Sequence, residues 1–225
     1  MQLIGLTGGV ASGKSTCGEY LRANGIPVID ADELSRQVLT PGSTAYKKVC
    51  RMFPATMRNG VLNRTLLGDL IFNDPKAKSK LEKIVHPAVI WGMIKLVVLY
   101  WLLGSDRIAL EIPLLYEAKL DRFMSYTVCI YATKDLRERR LMMRNDLSVE
   151  QAHSRVVAQL SLESKCDRAD IVIDNQGDVR ETLRQIKEKV VTRRPSRLVH
   201  RVLLHAVPLA VAFGLIMLSA ASLFL

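Results

Sequence analysis

A run of small residues that ends in a lysine stands near the start of the chain, at GLTGGVASGKST. It matches the spacing G-x-x-x-x-G-K-[ST], in which backbone amides converge on phosphate oxygens. The lysine can reach the β- and γ-phosphates, and the serine hydroxyl can bind Mg²⁺. An apolar run before it and a helical pattern after it favour this reading over an ordinary glycine-rich turn. The predicted nucleotide-binding residues are Gly8, Gly9, Val10, Ala11, Ser12, Gly13, Lys14, Ser15 and Thr16.

Two carboxylates follow the second apolar run, in VIDAD. Asp30 and Asp32 stand at the carboxyl end of a predicted strand, where parallel sheets bind their ligands. A carboxylate there can accept the proton of an attacking hydroxyl, and we assign that role to Asp32. Asp30 is assigned to support of the site or, with Ser15, to Mg²⁺. A helix N-cap is the alternative role for Asp32, and the two roles are compatible.

A basic helix is predicted at DLRERRLMMRND. Arg137, Arg140 and Arg144 recur at i, i+3 and i+7 and therefore share one face of that helix. Phosphoryl transfer needs cations around the transferred group, so this face could close over the phosphates as a lid. The alternative is a solvated face that Asp135 and Glu138 neutralise. The phosphate-binding motif favours the lid, with Arg140 as a catalytic residue.

The elements that must position these residues alternate between strands and helices. Five short apolar runs predict strands separated by helical patterns: QLIGLT, IPVID, RIALEIPLLYE (a strand together with its exit), YTVCIYA and ADIVIDN. Such alternation is typical of a doubly wound parallel sheet. The predicted fold class is therefore α/β, a three-layer sandwich of the P-loop NTPase type with a five-stranded parallel sheet. A turn is expected at Asn59-Gly60, and the apolar stretch 86–103 is expected to form a buried helix rather than a membrane span, because Lys95 interrupts it.

The composition of the chain limits the classes of ligand that it is expected to bind. The net charge is +10, and about +6 remains without the four arginines of the last 35 residues. This modest basic excess suits a protein that binds small polyanions, and no basic patch interleaved with aromatic residues indicates nucleic acid. The four cysteines are scattered without a C-x-x-C spacing, which argues against a zinc site or a disulfide framework.

The last part of the chain differs from the rest in its apolar composition. Residues 202–225 contain no Asp, Glu, Lys or Arg, and as a helix they would be about 36 Å long, against about 30 Å of bilayer hydrocarbon. A basic segment, 193–201, precedes them. We predict a transmembrane tail anchor at 202–225, with residues 1–192 as a cytosolic domain on the endoplasmic reticulum or the outer mitochondrial membrane. The alternative is a helix that folds back on the core or pairs two copies.

Taken in order, the motifs resemble those of the dephospho-coenzyme A kinase family. They are GLTGGVASGKST, VIDAD, the His86-Pro87 pair, IPLLYE, the arginine helix, AQL and ADIVIDNQG, and they cover residues 1 to about 190. The stretch NGVLNRTLLGDLIFNDP is similar to the animal branch called dephospho-coenzyme A kinase domain-containing proteins.

The resemblance implies transfer of the γ-phosphate of ATP to the ribose 3′-hydroxyl of dephospho-coenzyme A, with Mg²⁺. It implies a helical acceptor-binding region and a lid helix, and it assigns catalysis to Lys14, Asp32 and Arg140. Glu111 and Asn63 depart from the family pattern, since an aspartate is usual at the position of Glu111 and many members have one at the position of Asn63. The remaining residues that the resemblance assigns are Arg140, Arg144 and Asn175 for ATP, with Asn175 at the adenine, and Asp32, Arg64, His86, Pro113 and Leu114 for the acceptor.

Two other functions stay open from the sequence. Another small-molecule P-loop kinase, for nucleosides or nucleoside monophosphates, would share the loop and the lid but not the VIDAD, PLLYE and VIDN set. A membrane-tethered nucleotide-binding scaffold without activity would be expected to have lost Lys14, Asp32 or Arg140, and all three are present.

Overall fold

The computed structural model describes residues 1–193, and the predicted membrane anchor lies outside them. The strands are β1 (Gln2–Gly8), β2 (Val28–Asp30), β3 (Met57–Arg58), β4 (Val61–Leu62), β5 (Arg107–Glu111), β6 (Tyr126–Tyr131) and β7 (Ile171–Asp174). The helices are α1 (Lys14–Ala23), α2 (Ala31–Gln37), α3 (Thr44–Met52), α4 (Arg64–Asn73), α5 (Pro75–Leu102), α6 (Lys134–Asn145), α7 (Val149–Val157), α8 (Leu162–Arg168) and α9 (Val179–Ile186), which continues as a π-helical turn at Lys187–Val191.

The described residues divide into two compact units. The first unit contains residues 1–29 and the chain from Val98 onward, and the second contains Asp30–Val97. The first unit carries most of the large sheet together with α1 and α6–α9. The second carries α2, α3, α4 and most of α5, in agreement with the expected helical region.

The large sheet has the strand order β2-β5-β1-β6-β7. Strand β1 pairs in parallel with both β5 and β6, and β6 pairs in parallel with β7. Crossover helices cover both faces of such a sheet, which explains why its strands read as nearly continuous apolar runs. The prediction of an α/β fold with a five-stranded parallel sheet is confirmed.

The main hydrophobic core lies on the face of the sheet that α1 and α9 cover. Ile4 and Leu6 of β1 pack there with Leu21 of α1 and Ile186 of α9. Side chains alternate between the faces of a strand, so the neighbouring Cys129 of β6 points to the other face. That face is covered by α8, where the Sγ of Cys166 lies 3.6 Å from the Sγ of Cys129.

A small hairpin was not expected from the sequence. The turn at Asn59-Gly60 is confirmed, with φ of 50° and 77° at the two residues. Two consecutive residues with positive φ form the type I′ turn that connects antiparallel strands. Here they connect β3 to β4, which are only two residues each and leave no readable alternation in the sequence.

Helix α5 differs from the prediction for 86–103. The helix is present, but it starts at Pro75, includes Pro87 and is buried along one stripe only. Leu102 and Leu103 at its end are both 69% exposed. Within residues 1–193, α5 is also the one helix that is long and apolar enough to cross a membrane by length and composition. The buried stripe consists of Ala77, Leu81, Val85, Val89, Met93 and Val97.

Candidate active site

The P-loop (residues 8–16) connects β1 to α1 and adopts a strained backbone. Gly8, Ala11 and Gly13 have φ of 151°, 57° and 98°. A β-carbon on Gly8 would lie 2.7 Å from the carbonyl oxygen of Ile130, so a larger residue cannot replace this glycine without displacing the backbone. Ala11 adopts a left-handed conformation that costs an alanine about 1–2 kcal/mol. Such strain clusters at ligand-binding loops, where the surrounding structure holds it in place.

The P-loop presents a positive end to any ligand in front of it. Gly13 is the N-cap of α1 and supplies no side-chain hydrogen bond to the first turn of the helix. Uncapped amides at a helix N-terminus form an anion site, which the helix dipole strengthens. Ser15 and Thr16 are exposed in this turn. The Nζ atom of Lys14 lies inside the loop and donates to the carbonyl oxygens of Gly8 and Gly9 at 3.1 and 2.7 Å.

Asn175, which directly follows the edge strand β7, holds the P-loop by a hydrogen bond. Its Nδ2 atom donates to the carbonyl oxygen of Ser12 at 2.7 Å, and its Oδ1 atom accepts from the Oγ1 of Thr182 at 2.9 Å. The side chain is 7% exposed and fills the space beside Gly13 that a β-carbon would need. Asn175 therefore supports the phosphate-binding backbone. Its predicted contact with the adenine stays a prediction.

Two of the three predicted lid arginines reach the P-loop region. Arg140 of α6 donates from Nη2 to the carbonyl oxygen of Asn175 at 3.0 Å. Arg137 is 5% exposed, and its guanidinium lies against Gly9, close to where a β-carbon on that glycine would stand. Burial lowers the pKa of Arg137, and Glu163 and Glu138 act in the opposite direction. Arg144 is exposed and donates to the Oδ1 of Asn145 instead.

Helices α6 and α7 pack directly on the P-loop. Leu141 of α6 and Val156 of α7 form a small core with which Val10 and Ala11 of the loop make contact. The amide of Val10 also donates to the Oε1 of Gln159 at 3.2 Å. Helices α6 and α7 are therefore joined to the loop by apolar packing, and the segment after α7 adds one hydrogen bond.

A carboxylate is buried beneath the start of α1. Glu111, at the end of β5, is 4% exposed, and a β-carbon on Gly18 would lie 2.8 Å from its Oε2 atom. The missing side chain at Gly18 makes room for this carboxylate. Burial raises the pKa of Cys17 to about 12, and the negative charge of Glu111 adds to the shift.

The predicted acceptor residues of the first unit lie in the PLLYE segment (residues 113–117), which follows β5. The carbonyl oxygen of Pro113 accepts from the Oγ1 of Thr7 at 3.3 Å. Leu114 is 45% exposed, whereas Leu115 is fully buried. The segment therefore presents Leu114 outward from a backbone that is attached to the strand leading into the P-loop.

Asp30 and Asp32 have different local roles in the second unit. Asp30 is the N-cap of α2, and its Oδ1 atom accepts from the amides of Asp32 and Glu33 at 2.8 and 3.1 Å. The alternative of an N-cap role for Asp32 is therefore wrong, because α2 begins at Ala31, two residues earlier than that role requires. Asp32 lies in the first turn with an exposed side chain. Its assignment as the base stays a prediction.

Arg64 and His86 are held by helices of the second unit. Arg64, the first residue of α4, donates from Nη2 to the carbonyl oxygens of Arg36 and Leu39 at 3.2 and 3.3 Å. These carbonyls lie at and just beyond the end of α2, so Arg64 ties α4 to α2. His86 is exposed on α5, directly before Pro87. Their contacts with the acceptor stay predictions.

Three contacts of the site could not be assigned from the sequence. Arg137 was recognised as part of the arginine face, but its burial against Gly9 was not. Gln159 lies in the AQL motif, which contributes to the family resemblance but was assigned no role from the sequence. Thr182 orients the Asn175 amide, and nothing in the sequence distinguishes it as a site residue apart from its place in a helix.

The two residues assigned to Mg²⁺ each carry an oxygen donor. This ion takes oxygen ligands and usually keeps one or two protein oxygens together with substrate phosphates and water. Ser15 offers an exposed hydroxyl, and Asp30 offers the carboxylate whose Oδ1 caps α2. Within residues 1–193 no group of three or more His, Cys, Asp or Glu side chains forms a metal cluster, and a nucleotide-bound Mg²⁺ needs none.

The parallel sheet, the P-loop with its uncapped helix and the arginine helix packed beside it together define a P-loop phosphotransferase. Comparisons with known proteins agree. The family model described as dephospho-CoA kinase matches residues 2–181. A dephospho-CoA kinase of Geobacillus kaustophilus is 43% identical over 185 residues, which cover 81% of this chain and 92% of the relative.

A zebrafish dephospho-CoA kinase domain-containing protein is 40% identical over 189 residues, which cover 83% of this chain and 82% of the relative. The crystal structure of TT1252 from Thermus thermophilus superposes with a TM-score of 0.74 at 33% identity, covering 87% of this chain and 98% of that one. The chain belongs to the dephospho-CoA kinase family.

Proposed function

We propose that this protein transfers the γ-phosphate of ATP to the ribose 3′-hydroxyl of dephospho-CoA, giving CoA and ADP. The observation that carries the proposal is the match of the family model to residues 2–181, in a chain that retains Lys14, Asp32 and Arg140. In this reaction the O–P bond to ADP breaks as the bond to the 3′-oxygen forms. The hydroxyl proton passes to a base.

Positioning and charge do most of the work in phosphoryl transfer. The P-loop amides and the first turn of α1 hold the triphosphate, and Lys14 adds a positive charge from inside the loop. Asn175 keeps the loop in its strained shape through the carbonyl of Ser12. Ser15, with Asp30, would hold the Mg²⁺ ion, which neutralises phosphate charge when it is bound.

Asp32 orients the 3′-hydroxyl and accepts its proton. Its carboxylate is exposed in the first turn of α2, while Asp30 makes the local capping bonds. Arg140 balances the negative charge that develops on the transferred group. The lid helices α6 and α7 exclude water, which would otherwise compete as the acceptor.

The proposal predicts acceptor selectivity. In an ATP-dependent assay of the purified protein, dephospho-CoA should be phosphorylated faster than any nucleoside or nucleoside monophosphate tested at the same concentration. A matched control replaces dephospho-CoA with CoA, whose 3′-hydroxyl is already phosphorylated and should not react. Phosphorylation of a nucleoside monophosphate without phosphorylation of dephospho-CoA would contradict the proposal, and ATP binding without any transfer would indicate the scaffold.

We propose in addition that residues 202–225 anchor the kinase in a membrane, with residues 1–193 on the cytosolic side. The apolar length and the arginines before it support this placement. Arg107 donates from Nη1 to the carbonyl oxygens of Val190, Val191 and Arg193 at 3.1, 3.0 and 3.1 Å, so the described residues end beside the start of β5.

The anchor predicts a clear fractionation result. Full-length protein expressed in cells should stay with membranes through alkaline carbonate washing, and a form that ends at Arg193 should become soluble with its kinase activity retained. Arg193 is the chosen end because its carbonyl bonds to Arg107. Protease added to intact organelles should digest the kinase domain, with a lumenal marker as the protected control. Release of the full-length protein by carbonate would exclude the anchor, and protection of the kinase domain would exclude the cytosolic orientation.

A further inference from the structure

The most deeply buried charged side chain described in residues 1–193 is that of Lys165 in α8. Its side chain is 0% exposed. The Nζ atom lies 2.8 Å from the Oε1 of Glu117 and donates to the carbonyl oxygen of Pro113 at 2.7 Å. An ammonium group loses its hydration when it is buried, and a partner carboxylate with good geometry is needed to offset that loss. Both partners lie in the PLLYE segment.

Lys165 holds that segment at both ends. The carbonyl of Pro113, at its first residue, accepts from Lys165 and from the Oγ1 of Thr7. The carboxylate of Glu117, at its last residue, pairs with Lys165 and accepts from the amide of Leu160 at 3.3 Å. A single ammonium group thus fixes the distance between the two ends and leaves Leu114 presented outward.

Two sets of hydrogen bonds connect the PLLYE segment to the P-loop. Thr7 immediately precedes Gly8, so its bond to Pro113 attaches the PLLYE segment to the strand that enters the loop. In the second set, the amide of Leu160 donates to the carboxylate of Glu117, and the side chain of the adjacent Gln159 accepts from the amide of Val10. The PLLYE segment is therefore set at a defined position relative to the phosphate-binding backbone.

We infer that Lys165 is a positioning residue for the phosphoryl acceptor: it holds the PLLYE segment in the place where dephospho-CoA is bound beside the P-loop. The inference rests on the proposed function and on the assignment of Pro113 and Leu114 to the acceptor. Lys165 itself touches neither substrate. Its loss should therefore weaken use of the acceptor while ATP binding is kept, because Gln159 retains its own bond to Val10.

The test compares Lys165→Met with a double variant, Lys165→Met with Glu117→Gln, in the full-length protein. Methionine keeps the length and burial of the side chain without the charge. The double variant leaves no unpaired carboxylate and so provides a folded protein if the single variant is unstable. Lys189→Met is the control, because Lys189 also donates to a backbone carbonyl, that of Val172 at 3.0 Å, from an exposed position.

We expect KM for dephospho-CoA to rise about tenfold or more in both Lys165 variants, since small misplacements of a binding group are costly. We expect KM for ATP to change by less than about threefold and Lys189→Met to match the wild type. An equal rise in both KM values, or an unchanged KM for dephospho-CoA in the folded double variant, would show that Lys165 only stabilises the fold. Wild-type protein that does not phosphorylate dephospho-CoA at all would overturn the proposed function and this inference together.

Discussion

Asp32→Asn is expected to lower kcat for dephospho-CoA phosphorylation by roughly 10²–10⁴, the usual effect of losing a general base. Affinity for ATP should stay close to that of the wild type, because the P-loop residues that hold the triphosphate are unchanged. The fold should also be kept, because the N-cap of α2 is Asp30 and not Asp32. Steady-state kinetics, together with titration of the variant with ATP, separates the two quantities.

Glu33→Gln is the matched control for this result. Glu33 stands next to Asp32 in the same turn of α2 and is exposed as well. Its neutralisation changes the local charge by the same amount without touching the assigned base, so turnover should remain near that of the wild type. If Asp32→Asn retains near-normal turnover, the assignment of Asp32 as the base is wrong.

Lys14→Ala is expected to weaken ATP binding and to lower turnover, each by a large factor. The lysine charge acts on the bound triphosphate and also on the transition state, and loss of one such electrostatic contact costs roughly 10²–10³ in kcat. The variant also removes the hydrogen bonds from Nζ to the carbonyls of Gly8 and Gly9, so the loop loses an internal support. Equilibrium binding of ATP and single-turnover kinetics measure the two effects.

The control for Lys14→Ala is Lys189→Ala, which removes an exposed lysine that bonds to a carbonyl far from the P-loop in sequence. Thermal unfolding of both variants shows whether the loss of activity follows from a loss of stability. Unchanged ATP affinity and turnover in a folded Lys14→Ala protein would exclude a role for this lysine in nucleotide binding.

Local patterns were sufficient for most of the fold. Buried parallel strands are continuous apolar runs, and the spacing of the P-loop motif sets the strand, loop and helix around it, so β1 was predicted within one residue of its observed bounds and α1 was predicted to follow the loop. The β3–β4 hairpin was missed because each strand is two residues long. Partial burial of α5 was missed because a helix that is apolar on all sides in sequence does not reveal which stripe faces a core.

The candidate site also combines features that are local in the sequence with contacts that depend on the tertiary structure. The sequence by itself determined the chemistry of its groups, since glycines with one lysine at fixed spacing, carboxylates after a strand and arginines on one helix face are local patterns. Only the tertiary structure decided how these groups are supported. Asn175 meets Ser12 across 163 residues of sequence, and Lys165 meets Pro113 across 52. Contacts of this kind depend on which strands become neighbours in the sheet, and that order results from the packing of the whole chain rather than from any local run of residues.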